Sequence, residues 1–413
     1  MPISPSVSAV AASIVVLMAA AARAQEGSFE FLPGFWPRDL SADGSTLALT
    51  ETETWNGYLY RSGHAMRPAP SFSPSLNTDG SRMMWTTGNT DLLIGTGWEN
   101  PGADPVSVFV QGSCPAPADQ GYMFAIHSDE FERISALLEY VDSDGLIGDA
   151  CRWHGTPDGV VDGEVCGCPR TSGTNCGGLA AYSSDGSGSI VTELRNPSDF
   201  TLSAWIDIRW PSGECISNPR LRGGSVHLYN APVMSGDGRT VMFETSEAAH
   251  SWTMARCRDG AGCWPAFTAP GTYSQVIALS SDGRVALGSR GGGSGSLYHL
   301  WRPAAGTLDL AAAMRRCGLV PTLLPDNGGC FEMSSDGTTF AGVGADASGV
   351  DGAWILRLPA FSRSDLDWSF AVDSDDVITF FTNYEAGDAD YNDTGVTNVD
   401  DVIAFFADWE LGL

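Results

Sequence analysis

Phe331-Glu332-Met333-Ser334-Ser335-Asp336-Gly337-Thr338-Thr339-Phe340-Ala341-Gly342 reads as a strand, a turn and a second strand. Asp-Gly between apolar alternating runs is a strong hairpin signal, and a two-residue type I′ turn, with positive φ at both Asp and Gly, is expected. The phrase recurs around Asp282-Gly283, Asp237-Gly238 and Asp185-Gly186. Two earlier copies lie at Asp43-Gly44 and Asp79-Gly80. One such hairpin is marginal alone, so a serial array implies repeats that bury one another.

The spacing of the copies sets the architecture. The gap from Asp79 to Asp185 (185 − 79 = 106) is about two units, so a degenerate copy is expected inside it, around Phe124–Asp129. A unit of about 50 residues matches a four-stranded propeller blade. The fold class expected is all-β: a six- or seven-bladed β-propeller over residues 27–359, followed by a small α-helical module. Aromatic strands fit the remainder of each unit: Gly57–Arg61, Trp205–Trp210, Leu297–Arg302 and Gly352–Leu356. Glu132–Tyr140 and Leu308–Arg316 read as short loop helices. A Cys-rich insertion is expected at about residues 129–178.

The turn phrase resembles the Ser-x-Asp-Gly hairpins of bacterial extracellular propeller-like repeats. It is more distantly similar to the Asp-box of sialidases. These copies lack the Thr-Trp that follows the Asp-box turn, so the likeness implies architecture and no sialidase chemistry.

Charge narrows the function. The formal net charge is −28, and all 22 basic residues are arginine. A phosphate-binding face needs clustered cations, so nucleic acid is not an expected partner. Residues 1–24 read as a signal peptide, with Ala22-Arg23-Ala24 as the cleavage motif. The expected location is extracellular or cell-surface, with no stable membrane span after cleavage. Export and 10 cysteines favour disulfides, with Cys257–Cys263 and Cys317–Cys330 as expected pairs. Cys166, Cys168 and Cys176 with His154 are also zinc-type ligands, a reading that oxidation disfavours.

Residues 365–413 are a tandem duplication with an offset of 390 − 365 = 25. Each copy opens with an acidic loop. In the first, Asp365, Asp367, Ser369, Asp373 and Asp376 occupy positions 1, 3, 5, 9 and 12. In the second, Asp390, Asn392, Thr394, Asn398 and Asp401 do so, with the carbonyl of Val396 at position 7. This spacing converges hard oxygens on one point, and Ca2+ is the cation such a set suits. Each loop runs into a helix whose apolar face is expected to bury its mate: Val377, Ile378, Phe380, Phe381 and Tyr384, then Val402, Ile403, Phe405, Phe406 and Trp409.

This tail closely resembles a dockerin, specifically the GC-type dockerin-like modules of secreted bacterial proteins. The resemblance implies EF-hand-like calcium binding and a cohesin-like or cell-surface protein partner. It also implies partner-reading residues at loop positions 10 and 11, which are Ser374, Asp375, Val399 and Asp400 here. Two departures stand out. Phe370 occupies position 6 of the first loop, where the second has Gly395, and Gly412-Leu413 stands where the GC-type has a Cys. The second loop is therefore expected to be the tighter site, because its glycine makes the sharp turn freely.

Three functions follow as expectations. The first is a non-catalytic binding or scaffold propeller with a glycan or protein ligand, attached to its partner through the tail. The second is a polysaccharide-degrading hydrolase of glycoside hydrolase type carried on a dockerin, and the third a structural envelope protein. No H-E-x-x-H or G-x-S-x-G motif is present, and most aspartates belong to turns.

Overall fold

The computed structural model describes residues 27–87, 91–108, 121–140, 151–156, 159–160, 179–194, 204–217, 232–247, 251–270, 274–290, 297–320 and 329–411. Among them the strands form seven antiparallel four-stranded sheets, the blades of a β-propeller. The first blade is Phe35–Leu40, Leu47–Glu51, Gly57–Tyr60 and Arg67–Ala69. Five blades of the same meander order follow along the chain. The seventh takes Gly329–Met333, Thr339–Ala345 and Asp351–Arg357 from the end of the array and Ser28–Pro33 from its beginning.

That borrowed strand closes the ring. Ser28–Pro33 pairs antiparallel with Asp351–Arg357, placing Phe31 opposite Trp354 and Phe29 opposite Leu356. Glu30 adds an ion pair to Arg357 (2.5 Å). Closing a ring with both ends of the array in one sheet ties the first and last repeats together and leaves no terminal blade edge. The blades bury their faces on one another: Leu47 and Leu49 of the first blade pack with Ala341, Ala353 and Ile355 of the seventh.

The Ser-x-Asp-Gly turn differs from the expected type I′. Only its glycine has positive φ (73° at Gly337). The Gly337 N–H bonds the Ser334 carbonyl (2.9 Å). The Ser334 hydroxyl donates to Asp336 Oδ1 (2.5 Å) and accepts the Thr339 N–H (2.9 Å). Asp336 Oδ1 also accepts the Thr338 N–H (3.0 Å). The aspartate thus serves as a side-chain clasp rather than a left-handed residue.

The degenerate copy exists at the expected place, its turn running two residues beyond Asp129. Ser128-Asp129-Glu130-Phe131 makes the same turn, with Phe131 in the glycine place at φ 61°. It follows the strand Gly121–His127, the first of the third blade. The residues read as a loop helix there form the strand Ile134–Tyr140, paired on both sides by Gly121–His127 and Cys151–Thr156. Pairing on two edges overrides the local helical pattern. Ile134–Tyr140, Cys151–Thr156 and Gly159–Val160 also lie in the span read as an insertion. Residues 141–150, 157–158 and 161–178 of that span, with Cys166, Cys168 and Cys176, lie outside the described residues, as do residues 1–24.

The other helical reading holds: α1 is Leu310–Arg316. Cys257 and Cys263 form the expected disulfide. Cys317 does not pair with Cys330. It is a free, buried thiol at the end of α1, packed among Leu310, Met314 and Met333, and burial pushes its pKa up to about 11.

The C-terminal module contains α2, Ser374–Ala386, and α3, Val399–Leu411. Phe380 and Phe405, fully buried, stack on the axis between the helices at 4.4 Å and 5°. The apolar face is narrower than expected. Val377, Phe380 and Tyr384, at i, i+3 and i+7, join the shared core. Ile378, Phe381 and Ile403, one residue on, are exposed. Among the described residues no helix is long and apolar enough to cross a membrane.

Candidate functional site

The two acidic loops share one hydrogen-bond plan at the offset of 25. Asp365 accepts the N–H groups of Ser369 (2.8 Å) and Phe370 (3.0 Å), and Asp390 those of Thr394 (2.8 Å) and Gly395 (2.8 Å). Asp376 accepts the Asp367 and Asp373 N–H groups (3.2 and 2.8 Å), and Asp401 those of Asn392 and Asn398 (2.8 and 2.7 Å). Asp373 caps α2 by accepting the Asp375 N–H (2.8 Å), and Asn398 accepts the Asp400 N–H (2.7 Å). Loop and helix start are therefore one unit.

The carboxylate oxygens of Asp365, Asp367 and Asp376 lie within 4.8 Å of one another. Hard oxygens so close suit a divalent cation, which would offset their repulsion. Burial raises the Asp365 carboxyl to about 7 against the lowering by Arg302, with Asp376 raising it further. Burial also raises Asp376. Phe370 makes the loop turn at φ 61°, its ring stacked on Phe361 at 5.3 Å. Ser369 donates to the Ala371 carbonyl (3.1 Å). In the second loop only Asp390 and Asp401 are acidic among the expected ligands, and Asn392 Oδ1 is buried without a hydrogen-bond partner. Thr394 and Val396 are exposed. Ser374, Asp375, Val399 and Asp400 sit exposed at the starts of α2 and α3.

Both loops face the propeller. Arg302 of the sixth blade donates to the Asp365 carbonyl (2.8 Å), and Arg316 of α1 to the Asp367 carbonyl. Trp368 Nε1–H donates to the Ala305 carbonyl (3.1 Å) and Asn383 to the Ala304 carbonyl (2.7 Å). Asp393, inside the second loop, pairs with Arg256 and with Arg258 (2.5 Å) of the fifth blade. Burial, then the neighbouring Arg258, lowers Arg256 to about 9. A cavity of about 500 Å³ remains between the module and the blades, lined by Arg284, Arg302, Arg363, Phe361 and Tyr391 among others.

A second site lies on the propeller axis, and it escaped the sequence reading. The x residues of the turns bond from blade to blade. Ser335 N–H donates to the Ala42 carbonyl (2.6 Å), Asp43 to Thr78 (2.8 Å) and Asp129 to Ser184 (3.0 Å). Ser184 donates to Gly236 (2.7 Å), Asp237 to Ser281 (2.7 Å) and Ser281 to Ser335 (2.5 Å). Six of the x residues, all but Thr78, line a cavity of about 200 Å³. The residue just before each turn lines it too: apolar Leu40, Leu76, Met234, Leu279 and Met333, with His127 and Tyr182 in the third and fourth blades. Two further carboxyl groups, Asp39 and Glu332, join that of Asp129.

The electrostatics of this cavity are perturbed. Burial raises Asp39 to about 7, with Asp129 adding to the rise. Burial and the Asp39 charge raise Glu332 well above its ordinary value. Burial lowers His127, whose Nδ1 lies 2.9 Å from the Ser128 carbonyl. Because a carbonyl can only accept, Nδ1 carries the proton and Nε2 is left basic. Burial raises Tyr182 to about 12.

The chain matches no protein-family model and no curated protein. Among solved structures it is similar to an oligogalacturonate lyase in complex with manganese, at 12% identity and TM-score 0.52, over 80% of this chain and 91% of that one. It is also similar to the oligogalacturonate lyase of Vibrio parahaemolyticus, at 9% identity and TM-score 0.53, over 81% of this chain and 98% of that one. At these identities the likeness is one of fold. It is the fold of a β-propeller.

Proposed function

We propose that this chain is a secreted or cell-surface, non-catalytic binding propeller, attached to a cohesin-like or cell-surface protein through a calcium-binding, dockerin-like tail. The observation that carries the reading is the pair of acidic loops with one hydrogen-bond plan, the first of which gathers three carboxylates within 4.8 Å. Asp365, Asp367 and Asp376 would hold the ion in the first loop. Asp390, Asn392 and Asp401 would hold it in the second, where the buried Asn392 oxygen lacks another partner. The ion would neutralise the clustered charge and tie each loop to its helix. Ser374, Asp375, Val399 and Asp400 offer the partner an exposed surface, widened by Ile378 (64% exposed) and Ile403 (65%).

Phe370 bears on which loop is tighter. The expectation of a tighter second loop rested on the glycine turn, but Phe370 makes that turn with its ring stacked on Phe361. Charge then decides, with four aspartates against two among the expected side-chain ligands. Calorimetric titration of the full chain with CaCl2 should show saturable binding, weakened more by Asp365→Ala than by Asp390→Ala. Absence of calcium binding in the wild type removes the reading.

A second reading, the polysaccharide-degrading hydrolase, is favoured by Asp39 and Glu332, carboxyls that feel one another across neighbouring blades. A well of about 200 Å³ ringed by bonded turns suits one small molecule better than a polymer. Release of reducing ends from a polysaccharide, lost in Glu332→Gln, would favour it.

A further inference from the structure

The axial cavity combines features that a packing defect does not. Its walls hold five aliphatic or thioether side chains, as ligand pockets do, with a few convergent polar groups. At about 200 Å³ it exceeds the ~30 Å³ share of one water several-fold. Its charge has one sign. Asp39 and Glu332 enter from the first and seventh blades, which neighbour one another, and Asp129 enters from the third. Among the described lining residues none is an arginine, and the chain has no lysine.

The position of Asp129 departs from the repeat. Elsewhere the x residue of the turn is Ala42, Thr78, Ser184, Gly236, Ser281 or Ser335, none of them charged. Ser, Asp and Gly build the turn, while x faces the axis. The third blade therefore places a carboxylate in the one turn position that needs none for folding. The carboxyls of the first and seventh blades arrive by another route. In each, a register shift in the inner strand, at Pro37/Asp39 and at Cys330/Glu332, precedes the acidic residue. Such bulges re-aim side chains, and here Asp39 and Leu40 both line the cavity, as do Glu332 and Met333.

We infer that the axial cavity binds a small organic cation: a primary amine on a short apolar stem, with its ammonium group at the Asp39–Glu332 side. The inference rests on the propeller being the binding body and is independent of the tail's cation. An ammonium donates three hydrogen bonds and carries the charge that buried carboxyls lack when crowded. Its methylenes would lie on the leucine and methionine walls. A second ammonium at the far end would meet Asp129, so a diamine should bind more tightly than a monoamine. His127, held neutral, has its basic Nε2 to accept a further N–H. The −28 net charge favours cation encounter.

Binding should displace protons. Asp39 is raised to about 7 and Glu332 well above its ordinary value, in surroundings set by Asp129, His127 and Tyr182. A bound cation favours their ionised forms, so affinity should rise with pH between about 6 and 8.

The test is isothermal titration calorimetry of the full chain with 1,4-diaminobutane at about pH 7, in two buffers of different ionisation enthalpy. Saturable binding with net proton release, and a weaker response to butylamine, is expected. Glu332→Gln and Asp129→Asn, near-isosteric changes, should each weaken binding about tenfold or more, the scale of one charge-assisted hydrogen bond. Asp365→Ala in the tail should leave it unchanged, separating this site from the calcium loops. No saturable heat in the wild type at millimolar diamine overturns the inference. So does binding that survives both axial substitutions, or that takes up protons.

Discussion

Phe131 and Phe370 occupy glycine-like backbone positions at the same φ of 61°. A left-handed non-glycine residue costs about 1–2 kcal/mol. Phe131 is fully buried, edge-on to His127 at 4.7 Å and under Arg82 at 5.8 Å. Truncating a buried phenylalanine costs about 3–5 kcal/mol. Burial outweighs the backbone cost, so Phe131→Gly should destabilise the chain by about 2 kcal/mol in urea unfolding. Phe370 is only half-buried, so the two terms nearly cancel and Phe370→Gly should be close to neutral. Equal losses from both variants would show that burial does not hold these residues in place. The contrast also explains what was legible. The glycine copies announced their turns in sequence, whereas Phe131 broke the pattern, so the third copy was inferred from the spacing and the axial placement of Asp129 was hidden.

At the scale of the strand, period-two alternation located most of the sheet. The aromatic runs Gly57–Tyr60, Leu297–Arg302 and Asp351–Arg357 are the third strands of their blades. The inner strands were harder to read. Alternation sends Glu332 and Met333 to opposite faces, yet both line the axis because of the register shift after Cys330. A one-residue bulge has no sequence signature of its own, so Asp39 and Glu332 looked like ordinary carboxylates beside turns. Their burial has a measurable consequence. Both carboxyls keep their protons to higher pH in the folded chain than in the unfolded one. The folded state then binds more protons from the ordinary carboxylate range up to about 7 for Asp39, so this contribution to stability is lost as pH rises through that window. His127, lowered by burial, has the opposite sign, losing stability as pH falls. Comparing wild type with Glu332→Gln isolates the carboxyl. Wild type should lose melting temperature relative to the variant as pH rises through the range above the ordinary carboxylate values. A constant difference across that range would mean that Glu332 ionises freely in the folded chain.

At the scale of the molecule, the duplication, loop spacing and helices of the tail were legible because each is a local pattern. Its docking on the propeller was not, because Arg256, Arg258, Arg302 and Arg316 lie far from the loops in sequence. The docking joins the ends of the chain's design. Arginines grip backbone carbonyls at positions 1 and 3 of the first loop, and the Asp393 side chain at position 4 of the second. A cation that fixes those loops would therefore fix the surface the arginines read. Linkage then requires that docking and cation binding strengthen each other. Arg256 tests the contact directly, being fully buried against Asp393. Asp393→Asn strips the charge opposite two arginines, and breaking a buried pair in this way costs about 3–5 kcal/mol. The expected result is a lower melting temperature for the whole chain and weaker calcium binding, although Asp393 is not among the expected ligands. Arg258→Ala, at the half-exposed edge of the same contact, should weaken calcium binding less. Calcium should protect amides of the fifth and sixth blades, as well as the tail, in hydrogen exchange. If calcium binds the wild type but leaves those blades and the Asp393→Asn titration unchanged, the loops bind their ion without regard to the propeller, and the docked surface carries no linkage.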